Sequence, residues 1–265
     1  MNNSGRIKHM KLEFVGTGAA DFRLDKREEG KLFRRWTTTV VDDTILLDPG
    51  PHVLDYMEQN GRMDLLDNIK YVLMTHSHGD HVNVDTAKMI AEKNPEVCFF
   101  GNAQSVDKVK EVVANTVVVE FNKPFEIEKY TVTPYHGNHS PMWSGEQTYL
   151  YGINDGEKEI FYGTDTAWLP TETWYAMKSH QFDCMIMEVT LGDVIGDYRI
   201  FEHNNIRMVE IMMETFRKTG VVKPEAKVIA THIAKGAGHG SHEQLVNRLA
   251  GFRMSAAYDG YVTEI

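Results

Sequence analysis

The chain has 265 residues, of which 42% are hydrophobic and 25% charged, and it carries a formal net charge of −10 at pH 7. That length and apolar content suit one large globular α/β domain or two small ones, with ample core; the sequence has no interdomain linker, so a single domain spanning residues 1–265 is expected. No run of about 18 apolar residues is present to cross a membrane, and the acidic balance argues against nucleic acid, which is bound by displacing counterions with Lys and Arg. The N-terminal residues lack the apolar stretch of a secretion signal, so a cytoplasmic protein is expected. Cys98 and Cys184 lie in apolar, strand-like surroundings and read as small buried hydrophobes rather than disulfide halves or ligands.

Residues 11–15 alternate polar and apolar side chains and read as a strand. Gly16-Thr17-Gly18-Ala19-Ala20 is then a tight small-residue turn; without a following helix or a P-loop lysine it is a weak phosphate signal. Residues 21–36 carry Arg23, Lys26, Arg27, Lys31, Arg34 and Arg35 among few apolar residues. They read either as a solvated loop or as a flap whose cations touch a substrate phosphate. Thr37 to Val41 and Thr44 to Leu47 form a hairpin around Asp42-Asp43. Asp48 stops the second strand as a structural carboxylate, and His52 follows in a helix start as a surface histidine.

The apolar run Tyr71-Val-Leu-Met ends in Thr75-His76-Ser-His78-Gly-Asp80-His81. Four potential metal ligands, His76, His78, Asp80 and His81, fall within six residues. In an extended loop, side chains at alternate positions converge on one side. Imidazole is the commonest metal ligand, and carboxylates favour harder divalent ions. One turn cannot supply two metals, so further donors should come from elsewhere. Val84 to Lys93 has helical spacing and ends at Asn94-Pro95; Val97 to Phe100 is a strand, Ser105 to Ala114 a helix, and Val117 to Phe121 and Tyr130 to Pro134 are strands. His136 and His139 are alternative donors after the last of these. Phe161 to Thr166 is a β-run ending in a turn at Asp165, a capping residue or a two-oxygen bridge. Phe182 to Val189 is a buried strand with Glu188 near its end, facing the site or making a strand-end ion pair. His203 precedes the helix Ile206 to Thr219, which Gly220 closes. Lys227 to Thr231 is a strand ended by His232. Ser241-His242-Glu243-Gln244 begins a helix through Ala250 with a capping box; His239 and His242 can line a pocket but are given no metal role.

The His76-Ser-His78-Gly-Asp80-His81 run resembles the His-x-His-x-Asp-His signature of the metallo-β-lactamase-fold hydrolases. Asn138-His139-Ser140, Gly163-Thr164-Asp165-Thr166, His203-Asn204 and Thr231-His232-Ile233 resemble its phosphodiesterase branch, which includes cyclic-phosphate phosphodiesterases and the tRNA-processing RNase Z enzymes. The resemblance implies an αββα four-layer sandwich. It implies His76, His78 and His139 around one divalent metal, Asp80, His81 and His232 around the other, and Asp165 bridging them; it favours His139 over His136. It implies zinc or manganese, with iron compatible, and a metal-bound hydroxide oriented by Asp80. The resemblance further implies that His203 assists proton transfer and that Asp165 joins Asp80 and His203 as a catalytic residue. The expected substrate is a small phosphodiester or cyclic phosphate. Carboxyl-ester, thioester or lactone hydrolysis, RNase Z-like tRNA cleavage, and a non-enzymatic metal sensor are the alternatives. A homodimer is compatible with the resemblance. Residues 19–36 contain no cysteine, so the cysteine-bound structural zinc common in this branch is not expected.

Overall fold

In strands of period two, successive side chains face opposite sides of the sheet, and the apolar residues here occupy both faces, as they must when both are covered. The computed structural model describes residues 9–140, 145–238 and 240–265; His239 lies outside them. Numbered along the chain, the first-half strands are β1 (Lys11–Gly16), β2 (Thr38–Val41), β3 (Ile45–Leu47), β4 (Tyr71–Leu73), β5 (Cys98–Gly101) and β6 (Asn115–Val118). The second half supplies β7 (Phe125–Ile127), β8 (Tyr130–His136), β9 (Tyr149–Asn154), β10 (Glu159–Gly163), β11 (Phe182–Glu188), β12 (Val222–Thr231), β13 (Ser255–Ala256) and β14 (Tyr261–Glu264). They form two seven-stranded mixed sheets, ordered β14-β1-β2-β3-β4-β5-β6 and β13-β12-β11-β10-β9-β8-β7.

The alternation sorts the core into three layers. Ile45, Leu47 and Leu73 of the first sheet meet Ile160, Tyr162, Cys184, Ile186 and Ile229 of the second. Their neighbours Leu46, Val72 and Phe99 point outward, under the helices α1 (Val53–Gln59), α2 (Leu65–Asn68), α3 (Val84–Lys93) and α4 (Ala103–Val109). On the far side, Phe161, Met185, Met187 and Val228 pack beneath α5 (Thr171–Met177), α6 (Ile206–Thr219) and α7 (His242–Ala250). Helix, sheet, sheet, helix is the expected αββα sandwich.

Several local expectations are corrected. The fourth helix starts earlier, at Ala103, because Asn102 caps it by accepting a hydrogen bond from the Ser105 amide, and it ends at Val109 rather than Ala114. The following strand is Asn115–Val118, not Val117 to Phe121. The last long strand begins at Val222, five residues before Lys227. His52 is buried rather than on the surface: its ring stacks on Trp36 at 4.3 Å and its Nδ1 accepts the Trp36 amide at 3.1 Å. Burial holds that imidazole down at about 4, so it packs as the neutral ring.

The basic stretch 21–36 is only partly solvated. Arg34 and Arg35 are buried. Arg34 donates to Thr17 Oγ1 at 2.7 Å and to the Ala257 carbonyl at 2.8 Å; Arg35 reaches Asp55 at 2.7 Å and Asp259 at 3.3 Å. These cations therefore tie the loop to the chain's far end. His242 pairs with Arg34 at 3.1 Å, in a recess apart from the histidine cluster.

Candidate metal centre

Parallel strands leave their carboxyl ends on one edge of a sheet, where loops can hold a site. β3, β4, β5 and β6 run parallel to one another, as do β10, β11 and β12, and all of the chain's donors but His139 leave from these ends. His76, His78, Asp80 and His81 follow β4; His139 follows β8; Asp165 follows β10; His232 follows β12. Asp48, Asp165 and His232 all adopt left-handed backbone, with φ of 63°, 48° and 49°. Such conformations are unfavourable for non-glycine residues and collect at functional sites. Gly50 lets the histidine loop pack closely, since a Cβ there would lie 2.3 Å from the Asp80 carbonyl oxygen.

The donors gather in two groups. One ligand atom each of His76, His78 and His139 lie within 4.8 Å of one another, and so do those of Asp80, His81 and His232. Asp165 links them: it groups with His76 and His81 and also with His139 and His203, and its Oδ2 is 2.7 Å from His81 Nε2 and 3.1 Å from His232 Nε2. In the first group, His78 Nδ1 lies 2.9 Å from His76 Nε2 and 3.3 Å from His139 Nε2.

The surrounding hydrogen bonds decide which nitrogen each ring turns inward. Buried Asp48 accepts from the Thr75 amide at 2.8 Å, from Thr75 Oγ1 at 3.0 Å and from His81 Nδ1 at 2.9 Å. With its own hydrogen committed to Asp48, Thr75 Oγ1 accepts from His76 Nδ1 at 3.0 Å. On the other sheet, Thr190 Oγ1 donates to Glu188 and accepts from His232 Nδ1 at 2.7 Å. His76, His81 and His232 thus commit an Nδ1 hydrogen to these partners and turn Nε2 toward the centre, the ring orientation that a metal ligand requires.

Three buried atoms at the centre, His81 Nε2, His232 Nε2 and Asp165 Oδ2, have no hydrogen-bond partner. Buried polar atoms left unpaired cost free energy, and lone pairs converging on one space are what a divalent cation satisfies. The electrostatics agree. At His81 burial opposes charge, yet Asp165, Asp80 and Asp48 outweigh it and hold the group well above the ordinary imidazole value. Burial also works against ionised Asp80, but His81 draws it down to about 2. The carboxylates favour positive charge here, and the residues present fit a pair of divalent ions.

His203 sits beside this centre. Its Nδ1 is 3.0 Å from Glu188 Oε1 and 3.7 Å from Asp165 Oδ1. Burial opposes its protonation, but Glu188 and Asp165 prevail and lift it to about 9. The Glu188 alternatives resolve toward the site: the carboxylate is fully buried and also accepts the Thr166 amide at 2.6 Å. Asn204 donates to the Thr166 carbonyl at 2.7 Å, tying the His203 loop to the Asp165 turn.

His78, Asp80, His139, Asp165 and His232 face a cleft of about 410 Å³ that Asp21, Thr190, Arg199, Glu202 and His203 also line. Thr75, Thr190 and Arg199 escaped the reading of the sequence. Thr190 lies in the turn just past the end of β11, two residues after Glu188, and that proximity was the available signal for it. His136 lies outside the cleft, stacked on Phe121 at 4.3 Å and 3.6 Å from Glu172. His139→Ala should therefore lower bound metal, whereas His136→Ala should leave it unchanged; metal analysis of the two variants checks this.

Residues 43–233 match the Beta-lactamase superfamily domain. The chain belongs to that superfamily. Its sandwich is of the metallo-β-lactamase type, a fold of metal-dependent hydrolases. Similar solved structures include a diphosphatase from the PhnP family, at TM-score 0.71 and 16% identity over 97% of this chain and 98% of that one. Zn(2+)-bound PqqB from Methylobacterium extorquens gives 0.73 and 16%, covering 96% and 100%. Human tRNase Z, short form, gives 0.68 and 17%, covering 96% and 98%. At such identities the likeness concerns this superfamily member's fold. No helix among the described residues is long and apolar enough to cross a membrane.

Proposed function

We propose that this superfamily member is a binuclear metal-dependent phosphodiesterase acting on a small phosphodiester or cyclic phosphate. The observation that carries the reading is Asp165 between two three-residue donor groups, with His203 alongside. His76, His78 and His139 would hold one ion, Asp80, His81 and His232 the other, and Asp165 both. Imidazole-rich sets suit zinc, and the carboxylates also admit manganese or iron; one similar structure is zinc-bound. Such ions, when bound, supply a Lewis acid and bring the pKa of water toward about 7.

The chain's own groups do the rest. Asp80, ionised and facing the cleft, accepts a hydrogen from the attacking water and orients it. His203, fixed through Nδ1 by Glu188, leaves Nε2 to give a proton to the departing ester oxygen. Arg199 adds a cation to a cleft otherwise rich in carboxylates, and an anionic phosphoryl group suits it. The two relatives named as a diphosphatase and a tRNase support phosphate-ester chemistry. The cleft volume and the net charge of −10 favour a small molecule over tRNA.

His203→Ala should lower kcat by about 10²–10⁴-fold, the range for a general acid, with metal content intact; loss of metal would make His203 a ligand instead. The test of the reading is turnover of bis(p-nitrophenyl) phosphate by zinc- or manganese-loaded protein, with a thioester and a lactone run beside it. Diester cleavage is expected. Thioester or lactone turnover without it would move the substrate class to acyl esters.

A further inference from the structure

Among the described residues, the three most exposed large apolar side chains lie within seven positions of one another: Ile195 at 86%, Tyr198 at 80% and Phe201 at 77%. Single exposed apolar residues need no explanation, but a cluster does. This cluster lies on the segment leading directly into His203. Tyr198–Phe201 is a 3-10 turn. Its three-residue period places Tyr198 and Phe201 on one face, and Arg199 and Glu202 on the next. Arg199 and Glu202 line the metal cleft. The aromatic face therefore adjoins the mouth of the cleft.

Arg199 is also held in place. Its Nε and Nη2 bond to the two Asp197 carboxylate oxygens at 3.1 and 2.8 Å, while Nη1 makes no hydrogen bond among the described residues. Asp197 in turn accepts the Arg199 amide at 2.9 Å and starts the turn. One short turn thus presents an oriented cation to the cleft and two aromatic rings beside its rim. A phosphodiester has the matching parts, an anionic phosphoryl group with an ester group on either side.

We propose that the turn at residues 197–202 selects the substrate: Arg199 takes a phosphoryl oxygen, and Tyr198 and Phe201 form a shelf for a flat aromatic ester group, an aryl ring or a nucleobase. This rests on the phosphodiesterase reading. Stacking on aromatic side chains is tolerant of which flat ring is offered, so the shelf discriminates flat from small groups. Both rings are exposed, so truncating them leaves the core and the donors untouched.

The experiment compares three diesters that share p-nitrophenol as leaving group and differ in the retained ester: methyl, phenyl and 5′-thymidyl. With metal-loaded wild-type protein, kcat/KM for the phenyl and thymidyl diesters should exceed that for the methyl diester by about tenfold, the scale of one stacked ring. In Tyr198→Ala/Phe201→Ala the ratio should fall toward one, mainly through KM, with bound metal unchanged. A phenyl preference without a thymidyl one would identify the ring as a simple aryl group. Equal wild-type values, or a preference that survives the double substitution, would overturn the shelf. So would a double variant that turned a dimer into a monomer with selectivity intact, because a second copy would then be what covers the rings. If no diester were cleaved, the phosphodiesterase reading would fail and the shelf with it; cleavage without preference would remove the shelf alone.

Discussion

Asp165→Ala should strip the centre of bound metal and abolish diester hydrolysis. Asp165 Oδ2 is the atom that approaches both His81 and His232, at 2.7 and 3.1 Å, and it is buried with no hydrogen-bond partner. Removing it leaves the histidine nitrogens facing one another without the carboxylate between them. Substituting groups that only support a ligand weakens metal binding by about 10–100-fold, and a donor shared by two ions should cost more. Asn is the informative second substitution, since it keeps the shape and one acceptor but loses the charge. Metal content after dialysis, measured beside the hydrolytic rate, checks both variants. Two ions retained at an unaltered rate would remove Asp165 from the bridging position.

Glu188 carries the second large effect, on stability and on pH dependence together. Its oxygens accept from the Thr166 amide, the Thr190 hydroxyl and His203 Nδ1, in a fully buried position. Glu188→Ala strands those donors and should destabilise the fold by about 3–5 kcal/mol, the usual result of breaking a buried charged pair. It also frees Thr190, which orients His232. Glu188→Gln separates charge from shape. Glu188 is the main group that raises His203 toward about 9 against burial. A general acid acts while protonated, so kcat should fall as pH rises through its pKa. Without the Glu188 charge His203 moves back toward its ordinary range, and the alkaline limb of the kcat profile should shift to lower pH. A limb that stays in place in Glu188→Gln, with hydrolysis otherwise retained, would detach His203 from it.

These residues also show where the sequence was readable. The buried strands were legible because β-alternation is local: Ile45, Leu46 and Leu47, or Met185, Ile186 and Met187, declare two buried faces by themselves, whereas the four-layer sandwich followed from the resemblance of the histidine run to a known family. The donors after β4 were legible because four of them share one turn. Asp165 was legible only in the company of those histidines, since a lone aspartate at a strand end reads equally as a turn residue. The remainder depended on distant partners. His52 looked exposed because the Trp36 amide and ring that bury it come from another loop. Arg34 and Arg35 looked solvated because Asp259 and the Ala257 carbonyl come from the far end of the chain. The boundary of α4 moved because the Asn102 side chain outcompeted the helical periodicity that begins at Ser105. Glu188 was ambiguous because nothing near it in sequence reveals that His203 folds back to it.

The most direct test of the two-metal account is a titration of chelator-stripped protein with zinc or manganese while bis(p-nitrophenyl) phosphate hydrolysis is followed. The account predicts a rate that climbs until two equivalents of metal per chain are bound and is flat thereafter. Full activity at one equivalent, or hydrolysis that persists in the stripped protein, would contradict it.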